Sequence, residues 1–170
     1  MPFNQQMSFP AELTLHGTAD GPRLFRYPVR EIELLYGAKH EWNDLDLKPG
    51  DNPLAGVTAD LLQIEADIDL QDATAVEMTI RGQPIVYDMK KQTLSALGEA
   101  PLALPNGRLR LTLLVDRTSL ETFADGGRVS LTSCYLPSPG QDQLSLQAEG
   151  GTAHVRSLVV HELKSAWPGS

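Results

Sequence analysis

Residues 109–129 read LRLTLLVDRTSLETFADGGRV, and this stretch decides the fold. Apolar residues alternate along its first half and share one face of an extended strand, namely Leu109, Leu111, Leu113 and Val115. A charged corner follows, and Asp125-Gly126-Gly127 then favours a tight turn. The stretch therefore predicts adjacent antiparallel strands of a β-sandwich, joined through a polar corner.

Similar alternation, separated by turn residues, recurs along the chain, and no amphipathic helix of three turns is evident. Residues 32–36 fit either a strand or one helical turn, whereas residues 39–57, rich in Gly, Pro, Asp and Asn, predict a long surface loop. The pattern predicts an all-β fold, a two-sheet antiparallel β-sandwich of jelly-roll, concanavalin-like type. The predicted strands are residues 13–16, 23–27, 64–70, 76–80, 85–88, 93–97, 108–115, 120–123, 129–135, 144–148 and 155–163.

The composition is that of an ordinary globular domain. The 170 residues are 41% hydrophobic and 21% charged, which suits a single domain. No stretch approaches the roughly 20 apolar residues of a membrane helix, and the N-terminus lacks the pattern of a signal peptide. The compartment stays open, since a longer parent protein could be secreted or periplasmic. The lone Cys134 lies in a predicted strand, where we expect a small buried side chain.

The charge narrows the range of partners. A formal net charge of −8 disfavours nucleic acids and anionic membranes, whose phosphates would repel this surface. A neutral partner such as a carbohydrate is compatible with it. Nine carboxylates against one lysine fall between Glu41 and Asp72, and a solvated strand face with its loop explains them most simply.

The corner sequence resembles a known family. Residues 115–123, VDRTSLETF, are similar to the V-D-R-S/T-S-x-E-V-F corner in the C-terminal β-sandwich domain of glycoside hydrolase family 32. Thr122 stands where the family usually has Val, and the following turn reads ADGG rather than NDG. Further similarity lies at residues 9–15, 27–32 and 159–167. The family includes levanases, inulinases and invertases, so the resemblance implies a sandwich from a fructan-type glycoside hydrolase.

The catalytic motifs of that family are not in the sequence. In family 32 an Asp attacks the sugar and a Glu transfers the proton, and both belong to a propeller that precedes the sandwich. The motifs N-D-P-N-G, R-D-P and E-C are absent here, and Trp42-Asn43-Asp44-Leu45 lacks the Pro-Asn-Gly continuation. The resemblance therefore implies that residues 1–8 are a linker stub from a missing propeller and that residues 9–168 form the sandwich. Whether the chain has activity of its own stays open.

Asp116, Arg117 and Glu121 form the sharpest candidate site. A guanidinium beside carboxylates can donate to and accept from vicinal sugar hydroxyls at once. In the alternative interpretation, the two carboxylates lock Arg117 across the turn and fix the register of the hairpin. The sandwich also resembles carbohydrate-binding module family 66, which recognises fructan ends, and this resemblance implies sugar binding without assigning residues.

The remaining candidates are weaker. Trp42 in the predicted loop could stack on a sugar ring, whereas Trp167 is expected to pack the terminus against the sandwich. Arg81 and Asp88 flank a turn and could bind sugar or form a surface ion pair with each other.

No cofactor and no metal are predicted. Asp44, Asp46 and Asp51 have some character of a calcium loop, but Lys48 occupies the place of an oxygen ligand and a terminal Glu is missing. The four histidines show no ligand spacing.

These observations leave three functional hypotheses. The first is an accessory module that supports a catalytic propeller domain and binds fructan or a related sugar. The second is a free-standing hydrolase that uses a carboxylate pair such as Asp116 and Glu121. The third is a structural domain that forms homo-oligomers through an exposed apolar face.

Overall fold

The computed structural model describes residues 6–19 and 21–166. Its single 3₁₀ helix in this part of the chain is Arg30–Leu35. The strands are β1 (Ala11–Thr18), β2 (Gly21–Pro28), β3 (Tyr36–Leu47), β4 (Leu62–Asp69), β5 (Ala75–Ile80), β6 (Gln83–Asp88), β7 (Thr93–Ala96), β8 (Glu99–Pro101), β9 (Arg108–Val115), β10 (Ser119–Ala124), β11 (Val129–Cys134), β12 (Leu144–Glu149) and β13 (Ala153–Leu163).

The strands form two main sheets and a separate hairpin. The six-stranded sheet has the order β11-β10-β9-β4-β13-β3, and the five-stranded sheet has the order β12-β5-β6-β7-β8. Strands β1 and β2 pair only with each other. All pairs of neighbouring strands are antiparallel. The predicted two-sheet antiparallel sandwich is confirmed.

The core lies between the two sheets and is built from the apolar residues that alternate along each strand. The predicted inward face of β9 is buried throughout, and Leu111, its most exposed member, is only 5% accessible. Strand β4 contributes every second residue in the same way, and three of its alternate positions, Glu65, Asp67 and Asp69, carry acidic side chains that are exposed or partly exposed. Because a shift of one residue would exchange these faces, burial fixes the register of the central strands.

A second, smaller cluster lies on the outer face of the six-stranded sheet. Leu114 and Phe123 point away from the main core and are covered by Ile32 of the 3₁₀ helix. Leu114 is thus apolar on the nominally polar face of β9 because another element packs there. Of residues 32–36, which fitted a strand or one helical turn, residues 32–35 are helical and Tyr36 begins β3.

The predicted loop at residues 39–57 is wrong for its first half. Strand β3 pairs with β13 in antiparallel register and forms one edge of the six-stranded sheet. An edge strand has one neighbour, and most side chains of β3 are exposed, so its polar composition is typical of a loop. Strand β8, with three residues, also gave no sequence signal.

Cys134 is exposed, so the expectation of a buried thiol is wrong. It ends β11, the other edge of the six-stranded sheet, where alternate residues face solvent. Within the described ranges, no helix has the length and hydrophobicity to cross a membrane. The domain boundaries at residues 8 and 168 stay predictions, and Trp167 lies outside the described residues.

Asp67 should contribute to stability in a pH-dependent manner. Its carboxylate accepts two hydrogen bonds from Arg108 across β4 and β9, and these bonds hold the pKa of Asp67 below its usual value. A lowered pKa in the folded state stabilises the protein above the unfolded-state pKa of about 3.9, and this gain is lost as the pH falls.

We therefore expect Asp67→Asn to lower the urea midpoint modestly at pH 7, with a smaller difference from wild type below about pH 4. The control is Asp142→Asn in an exposed loop, which should leave the midpoint unchanged. A difference for Asp67→Asn that is constant with pH would contradict the ion-pair explanation.

Candidate functional site

The corner between β9 and β10 carries the sequence-predicted Asp116 and Arg117. The Asp116 backbone N–H donates to the Ser119 carbonyl at 3.0 Å, and the Asp116 carboxylate accepts the Arg117 N–H at 2.6 Å. The turn is thereby closed by short-range bonds, and the Arg117 side chain is left 62% exposed. Arg117 is the most accessible charged group of the corner and lies 3.8 Å from Asp60.

Glu121 does not join the other two residues. Its side chain is fully buried, and its carboxylate accepts hydrogen bonds from Arg26 at 2.6 Å, from Thr132 at 3.3 Å and from the Phe9 N–H. An isolated buried carboxylate would be very costly, so these partners are needed for folding. The structure therefore separates the predicted constellation, and Glu121 neither locks Arg117 nor faces an open site.

Arg26 of β2 is the partner that sequence reasoning missed. Besides its bond to Glu121, its guanidinium lies 5.1 Å from the Phe123 ring centroid and donates to Thr132 at 3.2 Å. Its backbone N–H donates to the Gly127 carbonyl at 3.0 Å. A Cβ at Gly127, where φ is +89°, would collide with the Arg26 backbone, so the second glycine of the turn is required for this approach.

Tyr27 adds a second contact between the hairpin and the sheet. Its hydroxyl bonds to Thr112 at 2.8 Å, and its ring meets Phe123 edge-on at 6.0 Å. The β1–β2 hairpin is therefore attached to the outer face of the six-stranded sheet at both an ionic and an aromatic contact.

Arg81 and Asp88 do not pair with each other, so the ion pair expected between them is wrong. Arg81 contacts Asp60 at 3.2 Å and donates to the Asp116 carbonyl at 3.4 Å, which ties the β5–β6 turn to the corner. Asp88 instead accepts the Lys91 N–H at 2.9 Å at the other end of β6. Burial raises the pKa of Tyr135, and the nearby Arg81 opposes this shift.

Trp42 is half-buried rather than displayed on a loop. It lies on β3 opposite Leu158, a fully buried core residue, and packs against the main core. Its ring lies 6.3 Å from that of His40, nearly parallel to it. Strand β3 is an edge of the six-stranded sheet, and β13 and β4 separate it from β9 and the corner.

A cleft of about 420 Å³ opens beside the corner. Its lining is mainly apolar, and Asp116, Arg117 and Lys164 supply charge at its edge. Its apolar walls include Phe9, Leu35, Leu61, Val115 and Leu163. Among residues 6–19 and 21–166, no group of three or more His, Cys, Asp or Glu side chains is placed to hold a metal ion.

The architecture and the corner define an antiparallel β-sandwich domain with a polar turn tied to an N-terminal hairpin. Residues 31–162 match the model of the protein family described as "Glycosyl hydrolases family 32 C terminal". The chain belongs to this family, and the resemblance seen in its corner motif is confirmed.

Relatives with known activities extend the comparison. The chain is 30% identical to a levanase of Bacillus subtilis, over 98% of this chain and 28% of the relative. It is 26% identical to an extracellular exo-inulinase of Aspergillus niger, over 62% of this chain and 21% of the relative. The chain thus spans less than a third of either relative.

Solved structures show the same fold. An exo-inulinase from Aspergillus awamori superposes with a TM-score of 0.79 at 18% identity, over 94% of this chain and 36% of that one. A fructan 1-exohydrolase IIa from Cichorium intybus gives a TM-score of 0.71 at 16% identity, over 94% of this chain and 41% of that one.

Removing the Glu121 carboxylate should release the hairpin. Glu121→Ala leaves Arg26 partly buried without its counter-charge, and breaking one side of a buried pair costs about 3–5 kcal/mol in general. We expect a loss of unfolding free energy of that order in urea, with faster hydrogen exchange across β1 and β2.

The matched control is Glu41→Ala, which removes an exposed carboxylate paired with Lys39. It should leave both readouts close to wild type because exposed pairs contribute little. Equal effects of the two variants would contradict the anchoring role of Glu121.

Proposed function

We propose that this chain is the accessory β-sandwich of a fructan-hydrolysing enzyme, which supports a catalytic propeller domain and binds fructan or a related sugar. Its family membership and the levanase and exo-inulinase names of its relatives support this function. The relatives are several times longer than the matched region, so they have room for a separate catalytic domain.

The observation that carries the proposal is an apolar strip on the hairpin. Leu15 and Leu24 face each other across β1 and β2, and Leu13 lies two residues away on the same face. These three leucines are 73%, 60% and 59% exposed, respectively. Exposed contiguous apolar surface is typical of an interface.

The hairpin is suited to hold a neighbouring domain because it is fixed at its base. The buried Arg26–Glu121 pair and the Tyr27 contacts attach it to the sheet, while the leucine strip stays uncovered. A domain bound to the strip would therefore be oriented relative to the sandwich rather than tethered loosely.

The free-standing hydrolase hypothesis gains no support from the corner. Asp116 and Glu121 would have to flank a sugar at about 5–9 Å with open access. Glu121 has no exposed side-chain surface and its carboxylate oxygens are occupied. Homo-oligomerisation through the leucine strip is the second candidate, since a second copy could cover the same three side chains.

Co-purification tests the supporting role. We would co-express this chain with the Bacillus subtilis levanase from which the matched segment has been deleted. We expect the two to co-purify and the Leu15→Glu/Leu24→Glu double variant to abolish this association, since each Glu would place an unpaired charge in an apolar contact. Leu97→Glu, at another 51% exposed leucine, is the control and should retain it.

The oligomeric state decides between the two candidates. Light scattering of this chain alone should give a monomer. A dimer that the double variant dissociates, without any co-purification, would replace the supporting role by self-association.

Retention on polymer tests the sugar-binding part. The chain should be retained on levan or inulin without release of reducing sugar. The predicted binding residues Trp42, Asp116, Arg117, Arg81 and Asp88 are then replaced singly by Ala to locate the site. Sugar release that survives purification and disappears in an Asp116→Asn variant would overturn the accessory role.

A further inference from the structure

A recess on the outer face of the six-stranded sheet has no role in the proposals above. It lies between the base of the hairpin and the 3₁₀ helix and has a volume of about 250 Å³. We call it the Glu65 trench, and its polar lining is Glu12, Tyr27, Arg30, Glu33, Gln63 and Glu65. A second recess of about 200 Å³ shares Tyr27 and Glu65 and extends toward Asp67 and Arg110. Sites for drug-sized ligands span roughly 300–1,000 Å³, so the trench suits a smaller one.

The floor of the trench holds a buried amide with an unused acceptor. Gln63 is only 6% exposed, and its Nε2 donates to Glu65 Oε1 at 2.7 Å. Its Oε1 is buried and has no hydrogen-bond partner in the described part of the chain. Buried polar atoms in native proteins are nearly always hydrogen-bonded, so an unpartnered oxygen beside a recess is uncommon.

One aromatic side chain, Tyr27, lines the trench, and a second, Tyr36, lies outside its lining and approaches Gln63. Tyr27 is 40% exposed, and its hydroxyl is fixed by Thr112. Tyr36 stacks on His161 with 3.7 Å between ring centroids and an interplanar angle of 7°. Burial, then the negative charges of Glu65 and Glu33, raise the pKa of Tyr36 to about 12, and a hydrogen bond with Gln63 opposes this shift.

The chemistry of the lining selects the class of ligand. Carboxylates at Glu12, Glu33 and Glu65 accept hydrogen bonds, whereas Arg30 donates them. These acids do not form a metal-binding group within the described ranges. A sugar hydroxyl both donates and accepts, and the C–H face of a sugar ring packs on a tyrosine.

We propose that the Glu65 trench, rather than the β9–β10 corner, is the site at which this domain binds a neutral sugar ring. The choice of a fructosyl sugar rests on the proposed function, whereas the trench itself rests on its own geometry. The sugar hydroxyls bond to Glu65 and to the Gln63 side chain, and the sugar ring lies against Tyr27.

Calorimetry of the full chain tests this site with fructose, short fructo-oligosaccharides, glucose and glycerol. Glu65→Gln keeps the side-chain size but removes the charged acceptor, and we expect affinity for the bound sugar to fall at least tenfold. Glu33→Gln alters an exposed wall residue without risk to folding and should weaken binding in the same direction.

The matched control is Glu77→Gln. Glu77 lies on β5 in the other sheet and accepts a hydrogen bond from Thr79 two residues away, as Glu65 does from Gln63. The Glu77→Gln variant should bind sugar with the affinity of the wild-type chain. The side-chain amide signals of Gln63 in NMR spectra should also shift on titration with sugar, a readout that a purely structural role of Glu65 would not produce.

The outcomes are distinct. Binding that falls in Glu65→Gln and Glu33→Gln but not in Glu77→Gln or Arg117→Ala supports the trench. Binding that falls only in Arg117→Ala moves the sugar to the corner and overturns this inference while keeping the sugar-binding function. No binding of any sugar overturns both, whereas the supporting role is judged separately by co-purification.

Discussion

A buried carboxylate governs the arrangement of this domain. Glu121 lies on the outer face of β10 without any access to solvent, and a charge in that position must be paired. The required cation is Arg26, which belongs to the hairpin that pairs with neither sheet. The need to neutralise one side chain thus fixes an otherwise independent element to the sandwich, and the trench, the Tyr27 contacts and the leucine strip all take their positions from that attachment.

The family corner motif therefore has two separate physical roles. Asp116 and Arg117 close the turn, and the Arg117 side chain stays largely exposed with Asp60 3.8 Å away. Glu121, only a few residues later, is buried beneath the hairpin and holds it through Arg26. Asp116, Arg117 and Glu121 are close in sequence, but β10 places Glu121 beneath the β1–β2 hairpin. The three charged side chains therefore do not form one site.

The sequence predicted the two sheets well because period-two burial is a local signal. Leu109 to Val115 and the alternating β4 could be read directly, and both lie in the core as expected. Strand β3 was missed because a sheet edge has the composition of a loop. The Arg26–Glu121 pair and the approach of Tyr36 to Gln63 were also invisible, since they join residues distant in sequence through no periodic pattern. For the same reason the sequence directed attention to the corner, whereas the Glu65 trench lies on the outer face of the six-stranded sheet.

The sequence distance between the hairpin and its anchor has a consequence for biosynthesis. Arg26 and Phe9 bond to a carboxylate that lies 95 and 112 residues further along the chain. A ribosome therefore releases β1 and β2 long before β10 exists, and contacts that close such long loops form late in folding. The leucine strip is consequently presented in its fixed orientation only after most of the sandwich has been made, so the proposed assembly with a neighbouring domain would follow the completion of the fold.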